Sequence, residues 1–187
     1  FWILSLFLLI RYHRKPEKKW LLLIGVVAGF GALSKYIMLL FYIGLFIHFL
    51  LYRNIRKGVL NPWLYCSGIL SLVIFIPVII WNAQHDWISF RWQLGKGTTG
   101  SDFGENTLAF TIGHLILFSP IWAVFSVVSF RWLRDRLTDG RQAESIITVL
   151  SMFPLLFFTL MSLKGTISDP HWANLAYIGI AILLGNE

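Results

Sequence analysis

Residues 20–52 read WLLLIGVVAGFGALSKYIMLLFYIGLFIHFLLY, 33 consecutive positions interrupted by a single fixed charge, Lys35. As one helix the stretch is about 50 Å long, against a hydrocarbon core of about 30 Å; as two helices each arm is about 23 Å. The basic residues decide between the two. Of the 16 Lys and Arg residues, 12 fall in three short segments, Arg11 to Lys19, Arg53 to Lys57 and Arg131 to Arg141. A hairpin that turns at Ser34-Lys35-Tyr36 puts all three segments on one side and leaves only Lys35, Arg91, Lys96 and Lys164 on the other. A single span would divide the charge almost evenly. Positive charge in short loops collects on the cytoplasmic side, so the hairpin is expected, with the Lys35 side extracytoplasmic. Gly25, Gly29 and Gly31 already weaken the helix that precedes the turn.

Composition gives the class. The chain of 187 residues is 57% hydrophobic and 13% charged, where soluble domains carry about 25% charged residues. An all-α, polytopic transmembrane helical bundle is expected. The net charge of +7 is the positive-inside signature and does not indicate nucleic acid. The one cysteine, Cys66, sits in an apolar span without a partner, which excludes a disulfide framework or a cysteine metal site. The first run, Phe1 to Ile10, is about half of a membrane span, and the last, Trp172 to Leu184, is also short. The expectation is therefore an internal piece of a larger multi-spanning protein, truncated at both ends. A signal peptide is not expected, since the basic segment follows the apolar run and no cleavage site appears.

The apolar spans run over about 1–10, 20–34, 36–52, 62–81, 108–130, 146–163 and 172–185, and one transmembrane domain accounts for them. Asn61-Pro62 is a helix-start signal, and Pro77, Pro120 and Pro154 fall inside spans, where proline commonly kinks a helix. Two extracytoplasmic connections result. The longer, Asn82 to Thr107, places Trp87, Phe90 and Leu94 at helical spacing, which predicts a short interfacial helix before a glycine-rich second half. The shorter, Lys164 to Trp172, brings a cation, the Asp169 carboxylate and the His171 imidazole into nine residues.

Lys35 is the sharpest candidate, because a lysine at the bilayer centre costs about 2.5 to 3.5 kcal/mol on insertion scales. At a hairpin tip it could meet an anionic group such as a lipid phosphate, or simply snorkel from a helix end. Lys164 and His171, on the same side, could bind phosphate oxygens, and His171 could also move a proton or hold a metal; the bland reading is a polar loop. Asp169 could cap the next helix or pair with Lys164. His85, Asp86 and Arg91 form a possible substrate loop, although neighbours on a helix do not face each other, so His85 and Asp86 are no ready-made dyad. Trp81, Trp87 and Trp92 read as an interfacial aromatic belt, with sugar stacking as the alternative.

Other patterns fail. Gly95-Lys96-Gly97-Thr98 lacks P-loop spacing. Gly25 to Gly29 is a GxxxG pattern, which marks close helix packing. His48 and His114 read as hydrogen-bonded core residues. No carboxylate pair, Ser-His-Asp set or metal-ligand spacing is present, so the metal assignment is none.

The residues Gly25 to Tyr36, closing in Leu33-Ser34-Lys35-Tyr36, resemble the GLALLSKY helix of polytopic GT-C glycosyltransferases of the dolichyl-phosphate-mannose protein mannosyltransferase type. Asn61-Pro62-Trp63 through Trp81-Asn82, with His85-Asp86-Trp87-Ile88-Ser89-Phe90, resembles the next span and its WN..HDW.SF loop. Lys164 through Pro170-His171-Trp172 resembles a later K...PHW loop, so the similarity covers about 25–184. It implies an integral membrane glycosyltransferase that moves a sugar from a polyprenyl-phosphate carrier to an extracytoplasmic lipid, glycan or protein acceptor. Lys35, Lys164 and His171 would then surround the donor phosphate. The family's acidic catalytic base would lie upstream, as would the acidic motif before a Phe-Trp like Phe1-Trp2, and this piece alone is expected to be inactive. The polyprenyl-phosphate sugar is the one donor implied; a divalent metal stays open beside it. The resemblance also points to a bacterial inner membrane, with the endoplasmic reticulum as the alternative. A transporter or lipid flippase is the rival from another class and would show inverted repeats, of which none is evident. A non-catalytic subunit is the third reading.

Overall fold

The computed structural model describes residues 1–51, 53–98, 107–113, 116, 124, 142–163 and 174–184. Every element within them is helical, as the hydropathy pattern requires: α1 (Trp2–Arg14), α2 (Lys18–Ser34), a 3-10 turn (Tyr36–Met38), α3 (Leu39–Leu51), a second 3-10 segment (Arg53–Leu60), α4 (Pro62–Gln84), α5 (Ile88–Thr98), α6 over 107–113, α7 (Gln142–Leu163) and α8 (Asn174–Leu184). Among the described residues, two helices are long and apolar enough to cross a membrane, Pro62–Gln84 and Ala143–Leu163. Pro77 and Pro154 lie inside these two helices. The chain divides into two compact units, Phe1–Ile79 with Leu133–Leu150, and Ile80–Trp132 with Ser151–Glu187.

In the first unit, α1 to α4 alternate in direction. Phe1 at the start of α1 packs on Gly31 near the end of α2. Trp2 meets Phe41 at the start of α3 edge-on, at 5.3 Å between ring centroids, and His13 at the far end of α1 meets His48, at 5.8 Å. Lys18 at the start of α2 lies over the Trp63 ring at the start of α4. The connections after α1 and after α3 therefore share one end of this unit, and the α2–α3 break occupies the other. At the shared end Asn61 caps α4 by accepting a hydrogen bond from the Trp63 N–H (3.0 Å), and its amide donates to the Tyr12 hydroxyl (2.8 Å). Pro62 takes the first helical position, where a missing N–H costs nothing.

Parallel helices α2 and α4 touch backbone to backbone. A methyl group on Gly25 would sit 2.6 Å from the Ser67 carbonyl oxygen, and one on Gly29 would sit 2.8 Å from Ile74 Cβ. The GxxxG pattern thus packs Gly25 against Ser67 and Gly29 against Ile74. Ser71 Oγ donates to the Gly25 carbonyl at 2.7 Å. With that proton spent, the 2.7 Å contact between Tyr42 and Ser71 has the tyrosine as donor, and Ser67 Oγ, 3.1 Å from Tyr42 Oη, can donate to it in turn. The result is a directed relay, Ser67 to Tyr42 to Ser71 to Gly25, that ties α2, α3 and α4 together where water is scarce.

The second unit contains α5, α6, α8 and the end of α7. Thr107 Oγ1 donates to the Ser162 carbonyl at 2.9 Å, joining the start of α6 to the last turn of α7. Ala176 and Tyr177 are the buried side of α8.

Gly25→Ala is expected to destabilise the protein by about 1 to 3 kcal/mol, because a new methyl group forces apart two backbones that cannot yield as a side chain would. Gly68→Ala, on the same helix pair but with nothing within 4 Å of the added carbon, should leave the detergent-solubilised Tm unchanged or raise it. Equal losses in the two variants would show that the α2–α4 approach is not the constraint.

Candidate functional site

Lys35 stands alone between two helices. Its backbone is extended (φ −157°, ψ 125°), its N–H closes the last turn of α2 onto the Gly31 carbonyl at 2.9 Å, and its own carbonyl accepts the Met38 N–H at 3.0 Å to open the 3-10 turn. The main chain is satisfied on both sides of the break. Tyr36 is held edge-on against Phe75 of α4 at 5.7 Å, and Met38 is buried. These contacts leave the Lys35 side chain exposed, with no hydrogen-bond or ion-pair partner among the described residues.

At the opposite end Arg14 and Lys57 are likewise exposed, while four other cations have partners. Lys15 and Lys19 both pair with Glu17, at 2.8 and 2.5 Å, and these hydrogen bonds hold the Glu17 carboxyl below its usual range. Arg11 lies over the Phe7 ring at 5.1 Å and Lys18 over Trp63 at 4.8 Å. His13 Nδ1 donates to the Leu9 carbonyl (2.9 Å), while burial lowers its basicity below the ordinary imidazole value. Lys35 is one α2 length away, about 25 Å along the helix.

Beneath the break the first unit holds an apolar cavity of about 480 Å³, lined from α2, α3 and α4 by Met38, Phe46, Tyr65, Gly68, Leu72 and Phe75 among others. Tyr42 and Ser71 also face it, with their hydroxyls engaged in the relay.

In the second unit the other expected residues occupy a tight turn after α4. The expected short helix is present as α5, which starts at Ile88; before it Asp86 and Trp87 both take left-handed backbone conformations, φ 52° and 57°. The buried Asn82 builds this turn. Its carbonyl accepts the N–H groups of His85 (3.1 Å) and Trp87 (2.7 Å), and its side-chain oxygen accepts the Ser89 N–H (3.2 Å) at the start of α5. The sequence marked Asn82 only as the second letter of the WN..HDW.SF resemblance, without a role. The His85 ring stacks on Trp81 at 4.2 Å with Nδ1 2.7 Å from the Trp81 carbonyl, which leaves Nε2 as its free ring nitrogen. Asp86 and Arg91 are exposed, and His85 and Asp86 do not bond to each other. Trp81, Trp87 and Trp92 are 47%, 43% and 57% exposed, as belt residues should be.

Lys164, Asp169 and His171, with His114, lie outside the described residues. His48 is fully buried beside His13 and Phe49. Among the described residues, no three His, Cys, Asp or Glu side chains converge as a metal site.

The left-handed turn makes a separable prediction. Asp86→Val should cost about 1 to 2 kcal/mol of stability, since a β-branched residue resists positive φ, whereas Asp86→Gly should be neutral. Thermal unfolding of both variants checks it; a neutral valine variant would mean that the turn is not held in this conformation.

Comparison with known proteins bears on one part of the chain. No curated protein and no solved structure matches it. Residues 1–81 match the family model described as dolichyl-phosphate-mannose-protein mannosyltransferase, a stretch that includes the Lys35 break and ends before the His85 turn. That match supports a membrane glycosyltransferase of the mannosyltransferase type.

Proposed function

We propose that the protein is an integral membrane glycosyltransferase that moves a sugar from a polyprenyl-phosphate carrier to an extracytoplasmic lipid, glycan or protein acceptor, in a bacterial inner membrane. The observation that carries the reading is Lys35: an exposed cation at a helix break, without a partner among the described residues, inside the segment that matches the mannosyltransferase family.

The chemistry asks for such a group. As the bond between the anomeric carbon and the phosphate oxygen breaks, the electron pair leaves with the polyprenyl phosphate, and the acceptor oxygen bonds to the sugar as it loses its proton. Negative charge grows on the phosphate in the transition state. A fixed cation in a site of low water content stabilises that charge far more than the same cation would in bulk water. Lys35 is assigned this role, joined by Lys164 and His171. His85, Asp86 and Arg91 are assigned to the substrate loop, with the Trp81–His85 stack as a face on which a sugar ring can lie.

Turnover of polyprenyl-phosphate-mannose by the protein in its native membrane, read as polyprenyl phosphate released, tests the assignment. Lys35→Ala should lower turnover by about 100-fold or more, the scale seen when one transition-state charge partner is removed. Lys35→Arg should retain more of it, and insertion and Tm should be unaffected in both. Unchanged turnover in Lys35→Ala removes Lys35 from the mechanism.

A further inference from the structure

Four glycines of the first unit, Gly25, Gly29, Gly31 and Gly58, each have a neighbouring heavy atom within 3.0 Å of where a methyl group would stand, so close packing explains them. Gly68 has nothing within 4 Å. It lies in the interior of α4, where glycine costs about 1 kcal/mol relative to alanine, and it forms part of the wall of the 480 Å³ cavity. No neighbouring side chain takes the space that the missing one leaves.

Three further features describe what would fit there. The lining is almost wholly hydrocarbon, since the Tyr42 and Ser71 hydroxyls are already engaged. Phe46, Tyr65 and Leu72 on its rim are 47%, 54% and 53% exposed, so the cavity opens sideways from the helices, toward the bilayer. Lys35 lies in the chain between two lining residues, Ala32 and Met38, with its backbone bonded to Gly31 and Met38, so its main chain stands at one end of the slot. An apolar slot entered from the membrane, with a lysine at its end, is complementary to a lipid with an anionic head and a long hydrocarbon tail.

We propose that this groove seats the hydrocarbon chain of the polyprenyl phosphate whose head meets Lys35, and that Gly68 is kept without a side chain so that the chain can lie against α4. The proposal rests on the polyprenyl-phosphate reading above and adds to it a place for the chain and a residue that governs entry. Gly68 is then a positioning residue, because it shapes the slot and does not touch the reacting atoms.

The test uses the whole protein in lipid nanodiscs and a polyprenyl phosphate that carries a diazirine in its chain, with labelled peptides mapped by mass spectrometry. Labelling is expected within 38–46 and 64–75. Gly68→Leu should reduce it by about tenfold without lowering Tm, and Gly68→Ala should retain most of it. Should the leucine variant fail to fold, Phe46→Trp, at the rim, serves as the second plug. Labelling elsewhere, labelling that survives the plug in a folded variant, or equal labelling by a diazirine-bearing phosphatidylglycerol would each overturn the proposal. Sugar transfer measured on the same samples separates the two ideas. Groove labelling without any transfer by the native protein keeps the chain site and removes the enzyme reading; transfer that persists while label maps elsewhere does the reverse.

Discussion

The first unit depends on the approach of α2 to α4 at Gly25 and Ser67. In a bilayer no hydrophobic force drives one apolar helix against another, so association relies on close packing and on interhelical hydrogen bonds, each worth about 0.6 kcal/mol on average. The GxxxG pattern on α2 and the Ser67–Ser71 pair on α4 allow backbone contact. The Ser71 bond to the Gly25 carbonyl then fixes the register. Tyr42 can complete the relay only if α3 returns close to both helices, and so the chain has to turn within a few residues of the end of α2.

That turn is where we place the chemistry. A break between two helices exposes main-chain groups, and Lys35 resolves this with one bond to Gly31 and one from Met38. The side chain is then left over. At the other end of the unit, Lys15, Lys18 and Lys19 are matched with Glu17 or an aromatic ring, as expected of residues whose work is orientation and anchoring. We place a phosphate opposite Lys35 on its exposure at the break, inside the segment that matches the family model.

Several features were legible from residue pattern because they are local. The helical class, the break at Lys35 and the Asn61-Pro62 start follow from hydropathy, charge and capping chemistry, and the GxxxG pattern correctly marked a packing face. What faces that stripe was not legible. Ser67 and Ser71 look like minor polar interruptions until α4 is placed, and Tyr42 looks like one more aromatic on an apolar helix. The short helix after α4 was legible from spacing, but its start was not: spacing carries no sign of φ, and the Asn82 hydrogen bonds hold Asp86 and Trp87 in a left-handed turn before Ile88. Gly68 was silent for a related reason: a glycine at a contact and a glycine at an empty slot are the same letter.

The central claim is that Lys35 holds the phosphate of a polyprenyl lipid. Mass spectrometry of lipids that co-purify with the protein from its own membrane, native beside Lys35→Ala, tests this most directly. The account predicts a polyprenyl phosphate, or its glycosylated form, retained by the native protein and lost in the variant. Its absence from both, with folding intact, would contradict it.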